Sequence, residues 1–333
     1  MYSCRDFFSG GTHRLVQDLS AYAFCDAHCH LDIRLQNLKN GSVRWGGKER
    51  LCKNWVAGNC WWGSNCQFAH GEHEVQSRQG LSRELVEPYL LQLCGAQEHQ
   101  PKLKWLVTNC CELDAIEDTK LIIECADRLG LDSVYCTVGC HPHDYRAFSP
   151  EADRELRQMI RSLGRRLVAV GECGLDYWKN YDESLDSPER DRMLKVFELQ
   201  VRVAVDFALP LVVHARDADA DTLQVLRQYL PKAHKVYIHA FQGSVNFLLD
   251  CLVEFPNSIF GVSSMVWCSD GAKAVAEKCP LERMVLETDA PYLASEPSEI
   301  PKLAEKVAEM KSVSTAEVLE TTLRVSKQFY CFE

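Results

Sequence analysis

The sequence predicts an α/β fold: a TIM-type (β/α)8 barrel with a small Cys/His-rich insertion after the first strand. Three observations predict it. Short apolar runs alternate with amphipathic stretches along most of the 333 residues, the pattern of a parallel sheet with helical crossovers. Eight such runs can be marked, which favours closure into a barrel over an open sheet. Histidines and carboxylates recur at or just past the C-terminal ends of these runs, and those positions converge on one face of a closed barrel.

The first run, 23–31, contains His28 and His30. Two residues apart on a strand, they point to the same face, with Asp26 on that side and placed to orient one imidazole. The runs at 103–110 and 133–139 follow, the latter leading into His141 and His143. The run 167–172 ends on Glu172, 209–214 ends on His214, and 235–240 contains His239. The runs 257–262 and 283–288 complete the set, and Asp289 follows directly. Between most of them lie stretches of helical length: 114–129, 150–163, 188–208, 217–230, 244–254 and 270–279. The tail 314–330 reads as a closing helix, with Ser314 and Glu317 spaced as a capping box and Val318, Leu319, Leu323, Val325 and Phe329 forming an apolar stripe.

His28, His30, Glu172, His214, His239 and Asp289 thus form a mixed imidazole–carboxylate set with no Ser or Cys nucleophile beside it. That chemistry points to metal-activated water. Two divalent cations about 3.5–4 Å apart would clamp a phosphodiester and lower the pKa of a bound water. Glu172 is suited to bridge the pair, and Asp289 to bind one cation while accepting a proton from the water.

Composition sets bounds. The chain is 46% hydrophobic and 25% charged, an ordinary soluble balance with room for one barrel of about 250 residues and something small. A net charge of −10 argues against wholesale coating of nucleic acid, while leaving room for a local grip on phosphates. Residues 1–24 hold only short apolar stretches broken by charge, so neither a signal peptide nor a membrane span is expected. The 17 cysteines are scattered, and reduced thiols in a nuclear or cytoplasmic compartment are expected.

Between the first two strands lie about 70 residues, too many for a barrel crossover, which indicates an inserted module. The expected organisation is an N-terminal segment 1–22, a barrel of 23–33 plus 101–333, and a finger at 46–74. Within it, Cys52, Cys60, Cys66 and His70 have the spacing C-x7-C-x5-C-x3-H. Three thiolates and one imidazole complete a tetrahedral zinc site able to fold a segment too small for its own core.

The segments DAHCHLD, GCHPH, GECGLDY, LPLVVHARDA, HAFQGS and ETDAPYL together resemble the TatD family of metal-dependent deoxyribonucleases, a branch of the amidohydrolase-like barrels. The resemblance covers residues 23–33 and about 103–330. It implies a two-cation phosphodiesterase (Mg2+, Mn2+ or Zn2+) acting 3′ to 5′ on single-stranded DNA, with RNA a further substrate class. It maps cation binding onto the six residues above and gives Arg216 the position of a phosphate clamp. His141 and His143 are placed to meet the scissile phosphate or leaving oxygen. Asp176 and Tyr177 read as loop-shaping residues, and Trp178 as a candidate base stacker. Two features depart from the family: an Arg-Asn stretch after the TDAPYL segment is replaced by one carrying Glu296 and Glu299, and Met193 stands where glutamine is usual.

The inserted stretch, with its CQFAHG segment, resembles the CCCH zinc fingers of RNA-binding proteins. By that resemblance Trp62 and Phe68 are base platforms, and Arg50 and Lys53 contact phosphates or base edges. Residues 44–83 carry six basic side chains against three acidic, a local reversal of the chain's charge. Placed after the first strand, the finger is expected on the active-site side. Two other functions fit the same residues: hydrolysis of a different ester, such as an aminoacyl-tRNA, and RNA binding on a non-catalytic barrel.

Overall fold

The structure, a computed structural model, describes residues 18–40, 52, 55, 58, 60, 66, 69–74, 80–95, 100–178 and 187–333. Eight strands form one sheet in sequential order: β1 (Ala23–Cys29), β2 (Lys102–Cys110), β3 (Val134–Val138), β4 (Leu167–Asp176), β5 (Leu211–Arg216), β6 (Val236–Ile238), β7 (Ser258–Val262) and β8 (Met284–Leu286). Every neighbouring pair from β1–β2 to β7–β8 is parallel.

The barrel closes between its last and first strands. The Asp289 N–H donates to His28 O at 2.8 Å and the His30 N–H to Ala290 O at 2.7 Å. Asp26 accepts from the Thr288 N–H at 2.9 Å and from the Thr288 hydroxyl. Asp26 therefore ties the seam; among the described residues it takes no imidazole N–H, only the His28 backbone N–H at 3.3 Å, so the expectation that it orients an imidazole ring is corrected. Its carboxylate is drawn off by hydroxyl and amide donors on the adjacent strand end.

Inside the barrel, Cys25, Ala27, Val107, Ala169, Val212, Tyr237, Ile259 and Val285 pack together. The lower end is plugged by the last helix and tail, through Val325, Phe329, Tyr330 and Phe332, with the Tyr330 hydroxyl on Ala27 O at 3.0 Å. A second core lies between sheet and helices and includes Leu106, Val213, Phe260, Phe197 and Leu226.

Ten helices flank these strands among the described residues: α1 (Leu31–Lys39), α2 (Arg83–Cys94), α3 (Ile116–Arg128), α4 (Pro150–Leu163), α5 (Ser187–Asp206), α6 (Asp219–Tyr229), α7 (Val245–Glu254), α8 (Asp270–Lys278), α9 (Ile300–Lys311) and α10 (Thr315–Tyr330). Ser149, Ser244 and Ser314 cap α4, α7 and α10 by accepting from backbone N–H groups three residues on, each worth about 1 kcal/mol. Helices α1 and α2, unmarked in the sequence reading, flank the insertion and bury Leu31, Leu35, Val86 and Leu90. Pro88 lies inside α2 and obscures its helical pattern, since proline is disfavoured in helix interiors.

The roots of the insertion are anchored. Asp118, in the first turn of α3, accepts from Gln36 Nε2 at 2.9 Å and from the Leu81 N–H at 2.7 Å. A helix that follows a barrel strand starts at the C-terminal mouth, so both ends of the insertion are held on that side. No helix among the described residues is long and apolar enough to cross a membrane.

Candidate metal centre

Glu172 is the hub of the site. It sits within β4 between two glycines whose backbones the neighbouring strand approaches closely. Gly171 has φ 135° and a Cβ there would lie 2.4 Å from Val212 O; Gly174 has φ 148° and a Cβ would lie 2.0 Å from His214 O. Only glycine fits at these two positions, and the close approach brings Glu172 to the histidines on or just past β1, β5 and β6.

The carboxylate faces two lobes, one with each oxygen. Oε2 lies 2.7 Å from His28 Nε2 and 3.6 Å from His30 Nε2, and Asp289 Oδ1 lies 3.1 Å from His30 Nε2. Oε1 lies 2.9 Å from His141 Nε2, 3.3 Å from His214 Nδ1 and 3.5 Å from His239 Nε2. Facing nitrogens approach within each lobe, at 3.3 Å for His28 and His30 and 3.0 Å for His214 and His239. Asp289 holds a left-handed backbone, φ 50°, fixed by its N–H on His28 O and by the Tyr292 N–H on its own carbonyl at 2.7 Å.

All six residues of the predicted ligand set meet here, and all but His214 are buried. Imidazoles and carboxylates crowd the two lobes around Glu172, and Glu172 Oε2 has no hydrogen bond of acceptable geometry among the described residues. That donor set suits borderline and hard divalent cations such as Zn2+, Mn2+ or Mg2+.

The outer nitrogens of two ligand candidates have partners. His214 Nε2 reaches Asp176 Oδ2 at 3.1 Å, and His30 Nδ1 faces the Cys111 thiol at 3.8 Å. Asp176 Oδ2 also lies 2.8 Å from His143 Nε2, so one carboxylate oxygen serves two rings. The sequence marks Asp176 as a loop-shaping residue; the structure adds this contact. The signal was available, since Glu172 and Asp176 are four apart on one strand and share a face. The Tyr177 hydroxyl bonds Asp221 at 2.9 Å and does shape the loop. Met193 Sδ accepts from the Asp176 N–H at 3.4 Å.

His141 belongs to the cluster but differs in tautomer. Its Nδ1 accepts from the His143 N–H at 3.0 Å, so the neutral ring carries its proton on Nε2, toward Glu172. It is therefore disposed to donate a hydrogen bond rather than a lone pair.

Charge is balanced within the pocket. Burial, reinforced by neighbouring imidazoles, lowers His28 and His141 to about 4, keeping them neutral. For His30 burial pulls the same way, but Asp289 and Glu172 outweigh it and raise the ring to about 9. Burial likewise opposes and the Asp176 and Glu172 contacts raise His214 to about 10. Burial disfavours the Glu172 carboxylate, yet the surrounding imidazoles hold it well below the usual range.

At the mouth, the Arg216 guanidinium lies 3.9 Å from the Trp178 ring centre and has no carboxylate partner among the described residues. Glu296 does not face the site as a free acid. It accepts from Arg34 and, at 2.6 Å, from the Tyr89 hydroxyl, tying the loop after Asp289 to α1 and α2. Glu299 Oε1 caps the turn by accepting from the Glu296 N–H at 3.1 Å.

In the insertion, ligand atoms of Cys52, Cys60, Cys66 and His70 all lie within 4.8 Å of one another, with His70 Nε2 3.2 Å from Cys60 Sγ. Trp55, which sequence reasoning did not single out, stacks on His70 at 4.5 Å with planes 7° apart. Trp62, Phe68, Arg50 and Lys53 lie outside the described residues.

The family model described as "TatD related DNase" matches residues 25–331. The chain is 36% identical over 189 residues to the human "3'-5' RNA nuclease TATDN2", a match covering 56% of this chain and only 24% of that protein's length. It is 28% identical over 214 residues to the "3'-5' ssDNA/RNA exonuclease TatD" of Erwinia tasmaniensis, covering 60% of this chain and 79% of that one. Among solved structures, the Escherichia coli TatD homologue YJJV superposes with a TM-score of 0.63 at 22% identity, over 74% of this chain and 92% of that one. A TatD family hydrolase from Entamoeba histolytica gives 0.67 at 19% identity, over 93% and 98%. At these identities the solved structures show the shared barrel fold.

Proposed function

Because the chain belongs to the TatD related DNase family, we propose that it is a divalent-metal-dependent nuclease hydrolysing phosphodiester bonds of single-stranded DNA and RNA from the 3′ end. The observation that carries this reading is the Glu172 carboxylate, one oxygen turned to each histidine lobe. His28, His30 and Asp289 with Glu172 Oε2 would hold one cation, and His214 and His239 with Glu172 Oε1 a second. When bound, the pair supplies Lewis acidity toward the phosphate and lowers the pKa of a water. Asp289 takes the proton of the attacking water on its carboxylate. His143, braced by Asp176, supplies a proton to the leaving oxygen. The His141 Nε2–H steadies Glu172 or a phosphate oxygen, and the Arg216 fork, with no carboxylate partner among the described residues, holds the phosphate while its face rests on Trp178.

In the same reading Cys52, Cys60, Cys66 and His70 hold a structural Zn2+, and the finger captures nucleic acid through Trp62, Phe68, Arg50 and Lys53. The anchoring of its roots at the mouth by Asp118 supports delivery of a strand to the centre. Its thiols need a reducing setting, so the protein works inside the cell, in nucleus or cytoplasm.

The test incubates labelled single-stranded DNA and RNA with Mg2+, Mn2+ or Zn2+, with and without chelator. Metal-dependent shortening from the 3′ end is expected; failure to cleave either strand with every cation would sink the reading. Glu172→Ala and Asp289→Ala are expected to abolish turnover yet retain RNA binding in a gel-shift assay.

A further inference from the structure

Beneath the two lobes lies a carboxylate that none of these roles uses. Glu287, two residues before Asp289, is 0% exposed. It accepts from the Tyr237 hydroxyl and from the Ala240 N–H. Its room depends on residue 261 being glycine, since a Cβ there would lie 2.5 Å from Glu287 Oε1.

Two buried ring nitrogens have no hydrogen-bond partner among the described residues: Nδ1 of His28 and Nδ1 of His239. The two rings stack with centroids 4.1 Å apart and planes 11° apart. Polar atoms of His28, His239 and Glu287 all lie within 4.8 Å of one another, and His239 Nδ1 is 3.9 Å from Glu287 Oε2.

An imidazole that gives its Nε2 lone pair to a cation keeps its proton on Nδ1. A buried N–H left without an acceptor costs roughly 1–3 kcal/mol. His30 meets this requirement through Cys111, and His214, turned with Nδ1 inward, meets its counterpart through Nε2 on Asp176; His28 and His239 have no such partner among the described residues.

We propose that Glu287 is the shared positioning residue for His28 and His239, taking both Nδ1–H groups and so orienting one ligand from each lobe. This rests on the two-cation reading above. It adds that the two cation positions are mechanically linked from below by Glu287, as they are bridged from within by Glu172. Losing Glu287 then weakens both positions, whereas losing Asp289 weakens one.

The test measures Mn2+ and Zn2+ binding by calorimetry and metal analysis on the full chain, for wild type, Glu287→Gln, Glu287→Asp and Asp289→Asn. It adds side-chain 15N spectra of the histidines in the cation-loaded protein. Glu287→Gln is expected to fold, to lower affinity at both positions by about 10–100-fold, and to shift the Nδ1–H resonances of His28 and His239. Glu287→Asp is expected to restore part of the affinity, and Asp289→Asn to weaken one position. A folded Glu287→Gln protein with wild-type affinities, or with one position weakened, overturns the proposal. If Glu287→Gln does not fold, the wild-type spectrum decides: hydrogen-bonded Nδ1–H signals for both rings support it, and their absence overturns it. A wild type that binds no cation in the barrel would instead refute the proposed function, a different result from either.

Discussion

Asp176 ends β4 with one carboxylate oxygen shared between His143 and His214, and donors from both rings hold it ionised against burial, below its ordinary range. Replacing it with asparagine keeps the shape and lets one ring turn. Asp176→Asn is expected to lower kcat by about 10–100-fold with little change in KM for a short oligonucleotide, read from steady-state kinetics. The ligand candidates were legible because each closes an apolar run, a local and periodic mark. Asp176 was legible only as a residue on the face of Glu172, and Glu287 not at all, because their work is done on rings from distant strands and nothing in GLDY or ETD tells which ring arrives. Asp26 shows the reverse error: its shared face with His28 was read correctly, but Thr288 across the seam takes its carboxylate.

At the scale of elements, the alternation of runs and amphipathic stretches identifies all eight strands, with ends shifted by a few residues. What it misses is α1 and α2, where a proline and the neighbouring insertion disturb the periodicity, and the approach of β4 to β5 that only positive-φ glycines permit. Gly174→Ala would force a Cβ against His214 O in a backbone conformation L-residues rarely adopt. A loss of about 2–3 kcal/mol or more is expected, measured by urea unfolding, together with weaker cation binding because both His214 and Glu172 shift. Glu296 and Glu299, which stand where the family resemblance leads one to expect an Arg-Asn stretch, serve as a brace for α1 and α2 and as a turn cap.

For the molecule as a whole, Asp118 matters because Gln36 before the insertion and Leu81 after it meet on one carboxylate. The barrel can therefore be closed without the insertion. Replacing residues 41–79 with a short glycine-serine linker is expected to leave barrel cation content and cleavage of a saturating DNA substrate intact, and to weaken single-stranded RNA binding at least tenfold in filter binding. Retained RNA affinity would remove the finger from substrate capture. Its spacing was readable in the sequence; its anchorage was not, because Asp118 lies far down the chain in a helix turn with no motif of its own.

The seam would also give a bound cation a second job. His28 lies on the first strand, His30 just past it and Asp289 past the last, so a cation held by all three would act as a clasp across the β8–β1 joint, which among the described strands lacks the full ladder of the other seven pairs. Stripping it should loosen that joint before anything else: melting temperature falls on chelation, since a ligand at 100 times its Kd contributes about 2.7 kcal/mol, and amides of residues 23–30 and 284–290 exchange first. Metal scarcity would then act on such an enzyme twice, silencing it and unfastening it for proteolysis.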